Sequence, residues 1–257
     1  LRDKEQNKFL GKSVHAAVQN INSKISNKLK NLDFNQQENI DKVLLDLDGT
    51  LSNSGLAIIK SINYALRNLG HKELEGDTSW VVGPSLWPTF RKLGIEESEL
   101  EKAISLYRKC YTEGAMYDGV FYAGVLDQLE SLKAQGYLLA LVTSKPISYA
   151  SKITNFFGAS KFLDFEFGSE LDGTRSDKTD LISFALGKIK IEPEDAVMVG
   201  DRSYDMIGAK NNKVLGLGVL YGYGSRNELL KSGAKFLIES PEELEKVIVQ
   251  ALPFRKD

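Results

Sequence analysis

Val43-Leu44-Leu45-Asp46-Leu47-Asp48-Gly49-Thr50 is the stretch on which the fold of this chain turns. Three consecutive aliphatic residues followed by Leu47 make a short, nearly continuous apolar run, as expected of a strand buried on both faces of a parallel sheet. Asp46 and Asp48 interrupt that run two residues apart, so on extended backbone they project to the same face. In an open α/β sheet, ligands bind at the carboxyl ends of the strands. Two carboxylates there repel each other unless something neutralises them, and a hard cation with oxygen ligands, Mg2+ above all, is the economical answer. A solvated Asp-Gly turn accounts for Asp48-Gly49 but leaves Asp46 unexplained.

Further runs of this kind lie at Tyr137 to Val142, Ala196 to Val199 and Val214 to Leu220, with Phe236-Leu237-Ile238 as a late strand. Segments of helical periodicity alternate with them at Ile147 to Phe157, Thr179 to Ile189 and Ser203 to Asn211, and Pro241 to Val249 closes the chain behind Ser240 as N-cap. The alternation is the signature of βαβ units, so the expected fold is α/β, a Rossmann-like three-layer core around a parallel sheet. Between the first two strands, helical patterns at Leu56 to Leu69 and Ser98 to Tyr111 flank breaks at Gly83-Pro84 and Trp87-Pro88. An excursion of that length calls for structure of its own. The expectation is a small inserted helical cap domain over 56–117, with the core formed by 41–55 and 118–257.

Composition removes several chemistries. The 257 residues carry 33 Lys and Arg against 35 Asp and Glu, a net charge of -2, and 42% are hydrophobic, as in an ordinary globular protein. Cys110 is the single cysteine, which excludes an internal disulfide, a paired-thiolate zinc cluster and a CxxC redox site, and fits a reducing, cytoplasmic setting. His15 and His71 are far apart and lack the spacing of a zinc site, which argues against imidazole chemistry. Near-zero charge argues against a nucleic-acid polymer as partner. No apolar run approaches the roughly 18 residues of a membrane span.

Residues 1–40 differ in character: they are rich in Asn and Gln and carry a local balance of +3, leaving -5 for the remainder. Val14, Val18, Ile21, Ile25, Leu29 and Leu32 recur at steps of four and three, the stripe of an amphipathic helix. The expectation for this N-terminal extension is a helix packed on its own domain or, through residues 14–32, on a second subunit or another partner. A basic membrane-surface helix fits less well, since the stripe lacks an aromatic anchor.

The tetrapeptide Leu47-Asp48-Gly49-Thr50 recurs as Leu171-Asp172-Gly173-Thr174, even with an acid, Glu170, two places before its Asp. The second copy follows Phe165-Glu166-Phe167-Gly168-Ser169, which alternates and is broken by glycine, and reads as a surface turn. The buried strand leading into the first copy is what gives it weight. Three later features fall at strand or helix ends. Thr143-Ser144-Lys145 closes one apolar run, Lys178 opens a helix against the helix dipole, and Gly200-Asp201 with Asp205 follows another run.

In that order, Asp46-x-Asp48-Gly49-Thr50, Thr143, Lys178 and Gly200-Asp201 with Asp205 resemble the four motifs of the haloacid dehalogenase superfamily of phosphatases. The resemblance spans Lys42 to about Val249. The insert resembles the C1 cap of that superfamily, and Val82-Gly83-Pro84 with the loop Gly168 to Gly173 looks most like its phosphoglycolate phosphatase and 5'-nucleotidase-like branch.

By that resemblance, Asp46 is the expected nucleophile, forming an aspartyl-phosphate, and Asp48 the acid that protonates the leaving alcohol and later deprotonates water. Mg2+ is expected on Asp46, the backbone carbonyl of Asp48 and Asp201, with Asp205 in support; Thr143, Ser144 and Lys178 are expected to bind the phosphate oxygens. An acid at Asp48 favours a phosphate ester over carbon-halogen chemistry. The expected activity is Mg2+-dependent hydrolysis of a small, phosphoglycolate-like phosphomonoester. A 5'-nucleotidase, a phosphosugar mutase and a binding or scaffold protein acting through the N-terminal helix are the competing readings. Candidates at the cap rim are Trp80, Ser85, Trp87 and Arg91. Trp87 would stack on a nucleobase, and Arg91 would pair with a substrate carboxylate.

Overall fold

The computed structural model describes residues 41–252. The amphipathic stretch expected over residues 14–32 lies outside them. The strand expected at the opening motif is β1 (Lys42–Leu45), every residue of which is buried. The chain then makes a tight turn into the short strand β2 (Ser52–Asn53). Helix α1 (Gly55–Asn68), the two-turn α2 (Leu86–Lys92) and α3 (Leu100–Thr112) follow before strand β3 (Val120–Phe121). β2 and β3 pair antiparallel, Ser52 opposite Phe121, so the two ends of the helical insert lie side by side.

The remaining chain alternates: α4 (Val125–Ala134), β4 (Leu138–Pro146), α5 (Ile147–Phe156), β5 (Phe165–Ser169), α6 (Lys178–Ile189), β6 (Ala196–Gly200), α7 (Ser203–Asn211), β7 (Leu215–Val219), α8 (Arg226–Ser232), β8 (Phe236–Ile238) and α9 (Leu244–Ala251). Six strands form one parallel sheet in the order β5-β4-β1-β6-β7-β8. β1 is central, Leu44 lying between Ala140 of β4 and Met198 of β6.

Period-two alternation sorts the strand side chains into two cores. Leu44, Ala140, Val142 and Met198 pack with Leu181, Ile182 and Ala185 of α6 and Ala209 of α7. Val43, Leu45, Leu139, Leu141, Val197 and Val199 belong to the opposite core, with Leu129 and Leu132 of α4 and Leu244 and Ile248 of α9. This is a parallel sheet covered by helices on both faces, the α/β Rossmann-like architecture expected. α1 packs on α3 through Ile58, Ile62, Ala103 and Ile104, and these join the second core.

Three elements depart from the expectation. β5 is a full edge strand where a broken stretch was expected; an edge strand needs apolar packing on one side only, so Glu166 is accommodated by accepting hydrogen bonds from Ser151 (2.6 Å) and Thr154 (2.5 Å). α2 runs through Trp87-Pro88, read as a break, because Pro88 falls in its first turn, where the missing N–H costs nothing. The 171–174 copy is a turn, with Gly173 at φ +89° and Asp172 accepting from Thr174 N at 2.9 Å, but it also borders the cleft described below.

Leu44 is fully buried in the central strand. Leu44→Ala should lower the unfolding free energy by about 2–5 kcal/mol in urea denaturation; a loss below about 1 kcal/mol would contradict this packing.

Candidate active site

The carboxyl ends of β1, β4 and β6 and the amino ends of α6 and α7 converge on one point. β1 hands over directly to Asp46, whose N–H donates to Val199 O of β6 at 3.0 Å. The turn that follows needs Gly49: its φ is +85°, and a Cβ there would stand 2.1 Å from Asp201 Oδ2. Gly200 plays the same part at the end of β6, where a Cβ would meet Asp205 Cγ at 2.3 Å. Two glycines thus let the acids close around Asp46.

Lys178, the first residue of α6, reaches into this cluster. Its Nζ donates to Asp46 Oδ1 at 2.8 Å and to Val142 O of β4 at 2.9 Å, and lies 2.8 Å from Asp205 Oδ1. The Lys178 side chain is 4% exposed and that of Asp205 2%. Asp177 offsets the unfavourable position of a cation at a helix start, accepting from Thr179 N and Asp180 N as the cap of α6. Asp205 likewise accepts from Arg202 N at 3.1 Å at the start of α7. Asp201 accepts from Tyr223 N at 2.8 Å.

Carboxylate oxygens of Asp46, Asp201 and Asp205 lie within 4.8 Å of one another, all three residues buried. Burial, the largest influence, pushes Asp46 up to about 6 against the pull of Lys178, with Asp205 and Asp48 adding to the rise. Burial, then Asp205 and Asp46, push Asp201 well above the carboxylate range. Burial works hardest against a charged Lys178, yet Asp205 and Asp46 together hold its ammonium above the ordinary lysine value. One ammonium among three converging acids leaves a surplus of negative charge on hard oxygen donors, the donor set of a divalent cation such as Mg2+.

Asp48 takes a different direction. Its Oδ2 lies 2.9 Å from Lys145 Nζ, and its carboxylate is not among the three that cluster; the part expected of it in a metal set is that of its backbone carbonyl. Thr143 is buried, its Oγ1 accepting from Lys145 N at 3.3 Å. Thr143, Ser144 and Lys178 line a small cavity with Asp46, Asp48 and Asp205, which is how the structure brings the expected phosphate-binding residues together. That cavity opens into a larger cleft, the two sharing Asp48, Gly83, Ser144 and Lys145.

The insert forms much of the cleft wall through Val81, Pro84, Trp87, Tyr107, Arg108 and Tyr111. Trp87 and Ser85 thus line it as expected of a rim. The Trp87 indole donates to Glu101 at 3.1 Å, and the Arg108 guanidinium lies 5.5 Å over its ring and donates to Leu171 O across the cleft. Arg91 is elsewhere: its guanidinium is bidentate on Glu97 at 2.8 and 2.9 Å and lines neither cavity. Trp80 lies under Lys92, 3.9 Å from its ring centroid. Lys145, Tyr107, Tyr111, Arg108 and Tyr223 were not singled out from sequence. Tyr107 and Tyr111 carried a signal, four apart on one helical face; Tyr223, between Gly222 and Gly224 after β7, carried none.

A family model described as Haloacid dehalogenase-like hydrolase matches residues 43–219. A second, described as Enolase, N-terminal domain, matches residues 1–75, well under half of the chain, and overlaps the first over β1, β2 and α1. The chain is 35% identical over 189 residues to a 5'-nucleotidase of Pseudomonas aeruginosa, covering 73% of this chain and 86% of that protein. It is 37% identical over 183 residues to Tyrosine-protein kinase PtkA of Mycobacterium tuberculosis, 71% of this chain but 62% of that one, so under two thirds of the kinase is shared. A phosphoglycolate phosphatase of Psychrobacter arcticus is 32% identical over 197 residues, 72% of this chain and 86% of that protein. Among solved structures, a predicted phosphatase from Clostridium acetobutylicum superposes with a TM-score of 0.78 at 37% identity, covering 82% of this chain and 99% of that chain.

Removing the shared ammonium leaves buried carboxylates without their partner. In EDTA at pH 7.5, Lys178→Met should cost about 3–5 kcal/mol of unfolding free energy. The cost should shrink toward pH 5, because Asp46, already pushed up to about 6, then takes up a proton in the folded state before it does in the unfolded one. A cost independent of pH would contradict the pairing.

Proposed function

This chain belongs to the haloacid dehalogenase-like hydrolase family and is a phosphoric monoester hydrolase, and from that premise we propose that it hydrolyses a small phosphomonoester with Mg2+ through an aspartyl-phosphate on Asp46. The observation that carries the reading is the ammonium of Lys178 held between Asp46 and Asp205 beside Asp201, in a cavity that also contains Thr143.

In this reading Asp46 attacks phosphorus in line, forming the acyl phosphate as the bond from phosphorus to the leaving oxygen breaks. Asp48 gives its proton to that oxygen, which departs as an alcohol. Water then attacks the same phosphorus, Asp48 takes its proton, and inorganic phosphate leaves with Asp46 restored. Lys178, Thr143 and Ser144 donate hydrogen bonds to the non-bridging oxygens, over which the transition-state charge is spread in both displacements. When bound by Asp46, Asp201 and Asp205, Mg2+ supplies positive charge that offsets repulsion between the carboxylate nucleophile and the phosphoryl oxygens.

The cleft beyond Asp48 receives the leaving group. Cationic Arg108 on its wall favours a small anionic alcohol, as in a phosphoglycolate-like substrate. A second reading, a 5'-nucleotidase, is favoured by the aromatic walls of Trp87, Tyr107 and Tyr111, and by the Pseudomonas aeruginosa relative. A panel of phosphorylated metabolites with Mg2+, phosphoglycolate and nucleoside monophosphates included, separates the two by kcat/KM.

Asp46→Asn should lower turnover of an aryl phosphate by at least about 1,000-fold, and EDTA should abolish it; steady activity of either sample would overturn the reading. Mg2+ must displace a proton from Asp46 once the pH falls below about 6. Asp201 is pushed up by burial as well, so the affinity, followed by titration calorimetry, should weaken as the pH falls, by about tenfold per unit or more below about pH 6, and a pH-independent affinity would contradict the assigned ligands.

A further inference from the structure

One buried cation of the cleft has no part in the displacements just described. Lys145 leaves the end of β4 with its side chain 6% exposed, and its Nζ lies 2.9 Å from Asp48 Oδ2. The same nitrogen donates to the hydroxyl of Tyr111 at 2.9 Å and lies 4.8 Å from the centroid of that ring. Tyr111 belongs to α3 of the insert, and its ring is stacked on Tyr107 at 5.4 Å. The other oxygen of Asp48, Oδ1, is buried and has no hydrogen-bond partner. Asp48 borders both the small cavity and the cleft, where the phosphoryl group and the leaving group would meet.

We propose that Lys145, braced by the Tyr111 hydroxyl, is a positioning residue: it holds Asp48 by Oδ2 so that Oδ1 alone faces the leaving oxygen of the ester. The proposal rests on the phosphatase reading. A carboxylic acid protonated on one oxygen keeps acceptor capacity on the other. The Lys145 bond to Oδ2 therefore persists when Asp48 is protonated, and the proton resides on Oδ1. In the first displacement that proton passes from Oδ1 to the departing oxygen as its bond to phosphorus breaks. In the second, Oδ1 recovers a proton from the attacking water. A free carboxyl could rotate either oxygen toward Tyr111 or into the cleft; the lysine removes that freedom, and catalysis by proton transfer depends on such geometry. Because Tyr111 comes from the insert and Lys145 from the sheet, the brace on the acid spans the two.

The competing account is that Lys145 only neutralises a buried carboxylate, and leaving-group dependence separates the two. A 4-nitrophenolate departs without a proton, whereas an alkoxide does not. In Lys145→Met, kcat/KM for an alkyl phosphate should fall by about 100-fold while that for 4-nitrophenyl phosphate falls by less than about tenfold. Tyr111→Phe, which keeps the ring, should shift the ratio in the same direction by several-fold and carries the test if the methionine variant does not fold. Equal losses on both esters, or no loss, overturn the proposal. If the wild type turns over neither ester, the phosphatase reading fails, and crystal structures of wild type and Lys145→Met decide the positioning by themselves. An Asp48 side chain that changes rotamer without the lysine supports it; one that stays in place overturns it.

Discussion

The ammonium of Lys178 is the interaction on which this structure depends. It is buried, it starts a helix, and it bonds to Asp46 after β1 and the Val142 carbonyl of β4 while lying beside Asp205 of α7. A lysine taken out of water so completely is costly unless its charge is answered at close range. The answer here comes from three separate stretches of chain, so the residues that would bind and transfer a phosphoryl group also fix where β1, β4, α6 and α7 meet. Asp177, which caps α6, compensates for the cation at the helix start.

The acids around it are more numerous than one lysine can balance. Asp46, Asp201 and Asp205 converge because Gly49 and Gly200 offer no Cβ to keep them apart. Burial first, and repulsion between neighbouring acids after it, push the proton affinities of Asp46 and Asp201 upward. Asp48 stands outside this group, although it is two residues from Asp46, because its carboxylate turns toward Lys145 at the border of the cleft. Two carboxylates on one short turn thereby acquire different surroundings.

Much of this was legible in the sequence. The run from Val43 to Thr50 announced a buried parallel strand ending in two acids, whereas Lys178, a cation opening a helix against its dipole, gained weight only from its place in the order of the motifs. What stayed hidden was of two kinds. β5 was obscured because an edge strand tolerates Glu166 and Gly168, and α2 because a proline in a first turn looks the same on paper as a break. The cleft was hidden for a deeper reason. Lys145, Tyr111, Arg108 and Leu171 are brought together by the docking of the insert on the sheet, and no local pattern records which side chains will face each other across that boundary. Arg91 illustrates the converse. An arginine near the Gly83-Pro84 bend looked available to a substrate, but Glu97, six residues on, holds it in a bidentate pair.

The central claim is that Asp46 carries the phosphoryl group between two displacements. Rapid acid quenching during turnover of a phosphomonoester, followed by peptide mapping by mass spectrometry, reads this directly. A phosphoryl group on the peptide containing Asp46, absent from Asp46→Asn, is the predicted result. Release of inorganic phosphate with no modified peptide at any quench time, or a phosphoryl group on a different residue, would contradict it.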